Sequence, residues 1–207
     1  MYKRQDLDIR GAGNLLGAEQ SGFIMDLGYE TYQKILAEAM EELGVETGIS
    51  TARSEESYVE DCTIETDQPA MIPDSYIDIT AEKIRIYKQL DSMTSDKEIE
   101  RVKSQLEDRF GEMPVESDNL FYVVKIRNLG GKLGFEKIII KNGMMIMFFI
   151  ANQMSPYYKS KVFSGILQNI NANDQLFNLK QSEGKLKIVS RGIDSLPKAL
   201  QTLSKLQ

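Results

Sequence analysis

The chain has 207 residues, of which 42% are hydrophobic and 27% are charged, a composition typical of a globular protein with one or two domains. It contains one cysteine, Cys62, and no histidine, which excludes an internal disulfide, a Cys/His zinc site and a His-activated nucleophile. The longest apolar run, residues 144–151, is far shorter than the roughly 18 residues of a membrane span, and residues 3–10 are too polar for a signal peptide. We therefore expect a cytoplasmic location.

The formal net charge of −6 is unevenly distributed. Residues 1–48 carry 4 basic and 9 acidic side chains, residues 49–80 carry 1 and 8, and residues 81–207 carry 20 and 14. The acidic first third disfavours contact with a phosphate backbone. The basic remainder has no dense cluster of Lys and Arg and is more typical of a solvated surface, so nucleic-acid binding by this part stays an alternative function.

The first predicted element is an ordered loop, because residues 5–28 contain five glycines, which reach backbone conformations closed to other residues. A helix follows, since apolar residues recur at helical spacing up to Gly44. Small polar residues then dominate as far as Ser57. We divide the chain into residues 1–48, a linker of residues 49–58, and a second domain of residues 59–207.

The second domain begins with a predicted strand, in which Cys62, Ile64 and Thr66 alternate with polar residues. Three helices follow. The first spans residues 80–90, the second begins at a capping box of Ser95 and Glu98 and ends at Gly111, and the third runs from Pro114 to Gly134.

The last third of the chain predicts a hairpin followed by a helix, twice. Residues 137–141 and 144–150 flank Asn142-Gly143, the strongest short hairpin signal, and Ser155-Pro156 begins a helix. Residues 176–179 and 186–189 predict a second hairpin turning at Glu183-Gly184, and Asp194 is expected to cap the final helix. The predicted fold class is α/β of the α+β type, with three helices followed by antiparallel hairpins and packing helices.

The spacing of Gly11, Gly13 and Gly17 raises the alternative of a small nucleotide-binding enzyme. The spacing differs from the dinucleotide fingerprint, little chain precedes it to supply a βαβ unit, and the chain contains no phosphate-binding loop motif. A purely structural loop is the other interpretation. Arg10 and Gln20 flank the loop. The Arg10 guanidinium offers a planar set of donors, and the Gln20 amide can both donate and accept hydrogen bonds. The two side chains either contact a neighbouring domain or nucleic acid, or are simply solvated.

Acidic residues near the end of the second helix are the other candidate contact. Glu107 and Asp108 oppose the helix dipole there, which indicates either a use in binding a partner or a solvated charged turn. The apolar run around Met147 is interpreted as core and sheet filling.

Several stretches resemble the transcription-repair coupling factor family. One is Asp6-Leu-Asp-Ile-Arg-Gly-Ala-Gly-Asn-Leu-Leu-Gly-Ala-Glu-Gln-Ser-Gly22, which is similar to the translocation motif at the end of that family's motor. Others are Met71-Ile-Pro-Asp-Ser-Tyr-Ile77, Arg85-Ile-Tyr-Lys88 and Leu106-Glu-Asp-Arg-Phe-Gly-Glu-Met-Pro114, which are similar to the C-terminal domain of the same family.

The resemblance implies that the parent protein is an ATP-driven translocase on double-stranded DNA, which displaces RNA polymerase stalled at lesions and recruits the excision-repair protein UvrA. Arg10 and Gln20, with Gly11 and Gly13 between them, match the residues that couple ATP hydrolysis to movement. The ATP and Mg²⁺ sites are expected elsewhere in the parent protein. Residues 1–207 are expected to be a fragment with no catalytic residue, metal or cofactor of its own.

The resemblance also implies that residues 59–207 form an autoinhibitory clamp, which covers the UvrA-binding surface of an N-terminal domain. Asp108 matches one acidic position of that interdomain contact. Gln105 matches a second position, where the family has an acid, so this chain lacks one of the two charges.

Overall fold

The computed structural model describes residues 58–59, 61–182 and 184–207. The predicted glycine-rich loop, the helix that follows it and the motor-coupling residues lie outside this part of the chain; these residues are Arg10, Gly11, Gly13 and Gln20. Within the described part, the elements in chain order are β1 (Thr63–Thr66), α1 (Thr80–Asp91), α2 (Asp96–Phe110), α3 (Val115–Lys132), β2 (Phe135–Lys141), β3 (Met144–Phe149), a 3₁₀ turn (Pro156–Lys159), α4 (Lys161–Ala172), β4 (Asn178–Ser182), β5 (Lys185–Arg191) and α5 (Leu196–Ser204).

The strands form one five-stranded sheet in the order β1-β2-β3-β5-β4. All neighbouring strands are antiparallel except β1, which runs parallel to β2 at one edge. The predicted α+β class, with three helices followed by two hairpin-helix units, is confirmed. The parallel position of β1 carries no local signal, because the three helices separate it from its partner along the chain.

The first hairpin forms where the sequence predicts it. Asn142 has φ 52° and Gly143 has φ 70°, so both central residues of the turn adopt the positive φ that a type I′ turn requires. The register places Lys141 opposite Met144 and Ile138 opposite Met147. Residues of this hairpin therefore alternate between the two faces of the sheet, with Ile138 and Met147 buried.

The hydrophobic core lies between the helices and one face of the sheet. Helix α3 contacts β1, β2, α1 and α2 and packs most extensively against α5. Its apolar residues Leu120, Val124 and Ile126 are fully buried. The single cysteine, Cys62, also belongs to this core, and burial raises the pKa of its thiol. Within the described residues, no helix combines the length and apolarity needed to cross a membrane.

Several predicted helix boundaries are wrong in detail. Residues from Ser155 onwards form a short 3₁₀ turn, and α4 begins separately after Ser160, whose hydroxyl accepts a hydrogen bond from the Phe163 amide at 3.2 Å. Ser95 does precede α2, but its side chain makes no capping hydrogen bond. Helix α5 begins after Ser195, one residue beyond the predicted cap, and the Asp194 carboxylate pairs with Lys198.

The second hairpin is also shifted from its prediction. Its first strand begins at Asn178, two residues later than expected, because Leu176 and Phe177 pack with the core before the strand begins. The predicted turn is confirmed at Gly184, which has φ 75°.

Candidate interdomain contact site

Helix α2 presents two opposite faces. Ile99, Val102 and Leu106 recur at helical spacing and are buried. Gln105 and Asp108 are exposed, and because they are three residues apart they lie side by side on the helix surface. The apolar stripe therefore fixes the rotation of α2 and directs the two predicted contact residues outwards.

Neither of these two side chains is used inside the described part of the domain. The side chains of Gln105 and Asp108 form no hydrogen bond or ion pair with residues 58–59, 61–182 or 184–207. A carboxylate that has no internal partner keeps its full capacity to accept hydrogen bonds from a cationic group. The pair is thus available for a partner without breaking a contact to the described residues.

Ion pairs hold α2 against α3. Lys103 contacts Asp118 at 2.5 Å, and Glu100 pairs with Lys125. The hydrogen bond from Lys125 lowers the pKa of Glu100, so this carboxylate stays charged to a lower pH than a free glutamate. Both pairs are partly exposed, so they orient the helix more than they stabilise the fold.

The end of α2 is fixed by a second group of contacts. Gly111 ends the helix with φ 87°, a conformation that favours glycine. The Tyr76 hydroxyl donates a hydrogen bond to the Gly111 carbonyl at 3.2 Å, and its ring packs edge-to-face on Phe110 at 5.9 Å. Burial raises the pKa of Tyr76, and the nearby carboxylate of Glu107 raises it further.

The three charges at this helix end have different surroundings. Arg109 pairs with Glu82 of α1 at 2.6 Å and lies 4.7 Å from the centre of the Phe110 ring. Glu107 is close enough to Tyr76 to affect its pKa, whereas Asp108 is exposed and is not among the charges that shift the pKa of Tyr76. Of the predicted acidic cluster, Asp108 is therefore the residue that is free to contact a partner.

Metal binding has no support in this part of the chain. Across residues 58–59, 61–182 and 184–207, no three Cys, Asp or Glu side chains are close enough together to hold an ion.

Comparison with known proteins identifies the domain. The model of the TRCF domain family matches residues 66–160. The transcription-repair-coupling factor of Rickettsia typhi is 37% identical over 151 residues, which is 72% of this chain and 13% of that protein. The Escherichia coli protein of the same name is 33% identical over 154 residues, which is 73% of this chain and 13% of that protein.

The chain belongs to the transcription-repair coupling factor family. It spans only 13%, about one eighth, of the length of these two curated relatives. A crystal structure of the C-terminal domain of transcription-repair coupling factor has the same fold, with a TM-score of 0.60 at 18% identity. That likeness covers 70% of this chain and 89% of the solved chain, and it supports the fold. The family resemblance predicted from the motifs is confirmed by the family model and the curated relatives.

Sequence reasoning proposed two residues of this candidate site. It named Gln105 and Asp108, which the fold places together on one exposed helix face. It did not identify Tyr76 or Glu82, which hold the end of α2, because their partners are 35 and 27 residues away in the chain. Such long-range contacts leave no periodic pattern by which they could have been found.

Proposed function

We propose that this chain is the C-terminal part of an ATP-dependent DNA translocase, which displaces RNA polymerase stalled at lesions and recruits nucleotide excision repair in the cytoplasm. Family membership supports the general role. The chain itself contributes two functions and no catalytic site: residues 1–48 couple the motor to movement, and residues 59–207 mask the UvrA-binding domain. ATP and Mg²⁺ bind to the motor elsewhere in the longer protein, and UvrA, RNA polymerase and double-stranded DNA are its partners.

The masking role rests on one observation, the exposed pair of Gln105 and Asp108 on a helix that ion pairs hold in place. A fixed carboxylate binds an Arg or Lys of the N-terminal UvrA-binding domain with little loss of side-chain freedom. Covering that surface with α2 would keep UvrA away until the two domains separate.

A direct test is the association of this chain with the N-terminal UvrA-binding domain, measured by calorimetry. The variant Asp108→Ala is expected to weaken binding about 10-fold or more, because it removes the acceptor of a charge-assisted hydrogen bond. The matched control is Glu107→Ala, which removes the same charge from the neighbouring position and is expected to bind as the parent chain does. Equal affinity of all three proteins would contradict masking by this face.

A second variant uses the position at which this chain departs from the family. Gln105→Glu adds a second carboxylate beside Asp108 and is expected to tighten association several-fold, with a stronger dependence on salt. The same substitution at the neighbouring exposed Ser104, Ser104→Glu, controls for net charge. Unchanged or weaker binding by Gln105→Glu would show that this position faces away from the partner.

The motor-coupling role rests on the match of residues 6–22 to the translocation motif. In the full-length protein, Arg10→Ala is expected to retain ATP hydrolysis on DNA but to lose displacement of a stalled polymerase. Arg4→Ala, which removes an arginine outside the matched stretch, should preserve both activities. Displacement at the parent rate by Arg10→Ala would remove the coupling role.

A further inference from the structure

One face of the five-stranded sheet lies away from the hydrophobic core. Strand alternation and register place on it a set of apolar residues that are partly buried yet do not pack against the core, namely Ile139, Met144, Ile146, Phe148 and Val189. On the opposite face, Ile138, Met147 and Ile188 are completely buried. We call the first surface the open sheet face.

The strand register arranges this face in rows that cross the sheet. In one row, Phe148 on the central strand lies between Lys137 and Lys187, and Lys180 follows on the edge strand. The Lys187 ammonium lies 5.7 Å from the centre of the Phe148 ring. An aromatic ring is therefore flanked by cations on both sides. In the next row, Ile139, Ile146 and Val189 form a flat apolar strip.

The charges on the open sheet face are almost all positive. The basic residues that alternation places there are Lys137, Lys141, Lys180, Lys185, Lys187 and Arg191. Two acids among the described strand residues lie off the core side. Glu65 pairs with Lys137 at 2.5 Å and with Lys141 at 3.1 Å, and Glu136 lies in the β-bulge beside Lys137. Lys180, Lys185 and Arg191 have no ion-pair partner among the described residues. This local excess contrasts with a chain whose net charge is −6.

One pair on this face is unfavourable for folding. Lys180 and Lys187 are directly opposite each other on antiparallel strands, where like charges repel. An anionic ligand between them would remove that repulsion.

We propose that the open sheet face binds single-stranded DNA, with a base stacked on Phe148 and phosphates held by Lys180, Lys187, Lys185 and Arg191. A sheet that presents an aromatic ring with basic groups around it suits unpaired bases, since a duplex hides their π-faces. Ribose recognition requires donors or acceptors near the sugar. The hydroxyl and amide side chains on this face, Thr63, Asn178 and Ser182, lie on the edge strands, two strands away from Phe148. A sugar beside the Phe148 ring would meet none of them, so DNA is the expected ligand.

This surface is separate from the α2 contact. Helix α2 packs on α3, which covers the other face of the sheet. The proposal therefore goes beyond the masking role, and loss of one activity would leave the other intact.

The test uses the complete chain and a fluorescein-labelled oligothymidylate of about 12 nucleotides, a length within the range of known single-strand sites. Anisotropy is measured at several salt concentrations. Four phosphate contacts predict a slope of about −3 for log affinity against log salt, from about −0.7 per contact. Absence of saturable binding at low salt below about 100 µM, the weak limit of non-specific affinity, would overturn the proposal.

Two double variants distinguish binding at the open sheet face from an effect of the protein's net charge. Lys180→Gln with Lys187→Gln is expected to reduce the slope by about 1.4 and affinity at least about 10-fold at low salt. The control is Lys97→Gln with Lys205→Gln, which removes the same charge from exposed helix-side positions and should bind as the parent chain does. Equal losses in the two double variants would show that binding depends on net charge alone and would reject the site.

Three further measurements identify the ligand. Phe148→Leu keeps an apolar side chain but removes the stacking surface, so it is expected to weaken binding at least several-fold while the melting temperature stays within the range of the lysine variants. A duplex of the same length and an oligouridylate should bind less tightly than oligothymidylate. Tighter binding of the duplex or the RNA, or of poly-glutamate, would overturn the assignment to single-stranded DNA.

Discussion

Gly134 and Tyr157 are in unusually close contact at the start of β2. Gly134 has φ 81°, and a Cβ atom at this position would overlap the Tyr157 ring. The ring is completely buried, and its hydroxyl donates a hydrogen bond to the Leu133 carbonyl at 2.6 Å. Burial also raises the pKa of this hydroxyl. Glycine is thus required here twice, for its backbone conformation and for the space that it leaves.

Gly134→Ala is expected to lower the free energy of unfolding by about 3 kcal/mol, from the positive φ and from the overlap with a buried ring. The control is Gly143→Ala, which has φ 70° but meets no atom within 4 Å. It is expected to cost about 1 kcal/mol, from backbone strain alone. Urea unfolding of both variants measures the difference, and equal costs would mean that the Tyr157 ring moves aside freely.

Glu65 connects β1 to the neighbouring strand through two lysines. Hydrogen bonds from Lys137 and then Lys141 lower the pKa of Glu65 below 4.5, the ordinary value for a glutamate. A carboxyl whose pKa is lower in the folded state stabilises the fold above its unfolded-state pKa. That stabilisation is lost as the pH falls through 4.5 towards the lower folded-state pKa.

Glu65→Gln is expected to weaken the pH dependence of stability in this acidic range while leaving the slope near neutral pH unchanged. Since both lysines are partly exposed, the loss at neutral pH should stay below about 1 kcal/mol. Thermal melting at a series of pH values between neutrality and acid measures the effect. A parent-like loss of stability on acidification in Glu65→Gln would indicate that other carboxylates, such as Glu82 and Glu100, dominate.

At the scale of single elements, the two hairpins differ in their support. β2 and β3 are central strands with one face in the core, whereas all five residues of β4 are exposed and the strand pairs only with β5. The stability of β4 therefore depends on its cross-strand pairs, and the pairing of Lys180 with Lys187 weakens it.

Lys180→Thr is expected to stabilise the protein by about 0.5 kcal/mol, because it removes a like-charge pair and adds a residue favoured in strands. Lys185→Thr serves as the control. Lys185 lies opposite Ser182, so this substitution relieves no like-charge pair and adds only the higher strand propensity of threonine. Chemical denaturation of both variants measures the difference. Greater stabilisation by Lys185→Thr would mean that repulsion between Lys180 and Lys187 is relieved by solvent.

At the scale of the whole molecule, the C-terminal hairpin and helix complete the core. The family match ends at residue 160, yet β5 pairs with the central strand β3 and α5 packs against α3. Leu196, Ala199 and Leu203 are completely buried. Residues beyond 160 are therefore part of the same folding unit.

A chain that ends at residue 160 is expected to lose cooperative unfolding, because β3 and α3 would each expose a surface that is buried in the intact domain. Circular dichroism during heating measures this, with the intact chain as the reference. A sharp melting transition in the shortened chain would show that β1 to β3 and the first three helices form an independent core.

Many helices, strands and turns could be predicted from the sequence alone, because their signals lie in neighbouring residues. Asn142-Gly143 predicts its hairpin because the required backbone angles belong to those two residues, and Ile99, Val102 and Leu106 predict the buried face of α2 by spacing. The same spacing leaves Gln105 and Asp108 exposed, but their role as contact residues comes from the resemblance to the family. The sequence motifs were sufficient to predict the family, and the family model and the curated relatives confirm it.

Only the tertiary structure decided which strands are neighbours and which face of the sheet is covered. β1 joins β2 in parallel although paired positions are 74 residues apart in the chain and three helices lie between them, because burial of α3 against both strands outweighs any local preference. The apolar run of β3 predicts core and sheet filling without distinguishing the two faces, and the structure places Met144 and Phe148 on the open sheet face. A continuous apolar strand shows no alternation of its own, so the helices that pack on one side determine which residues become core.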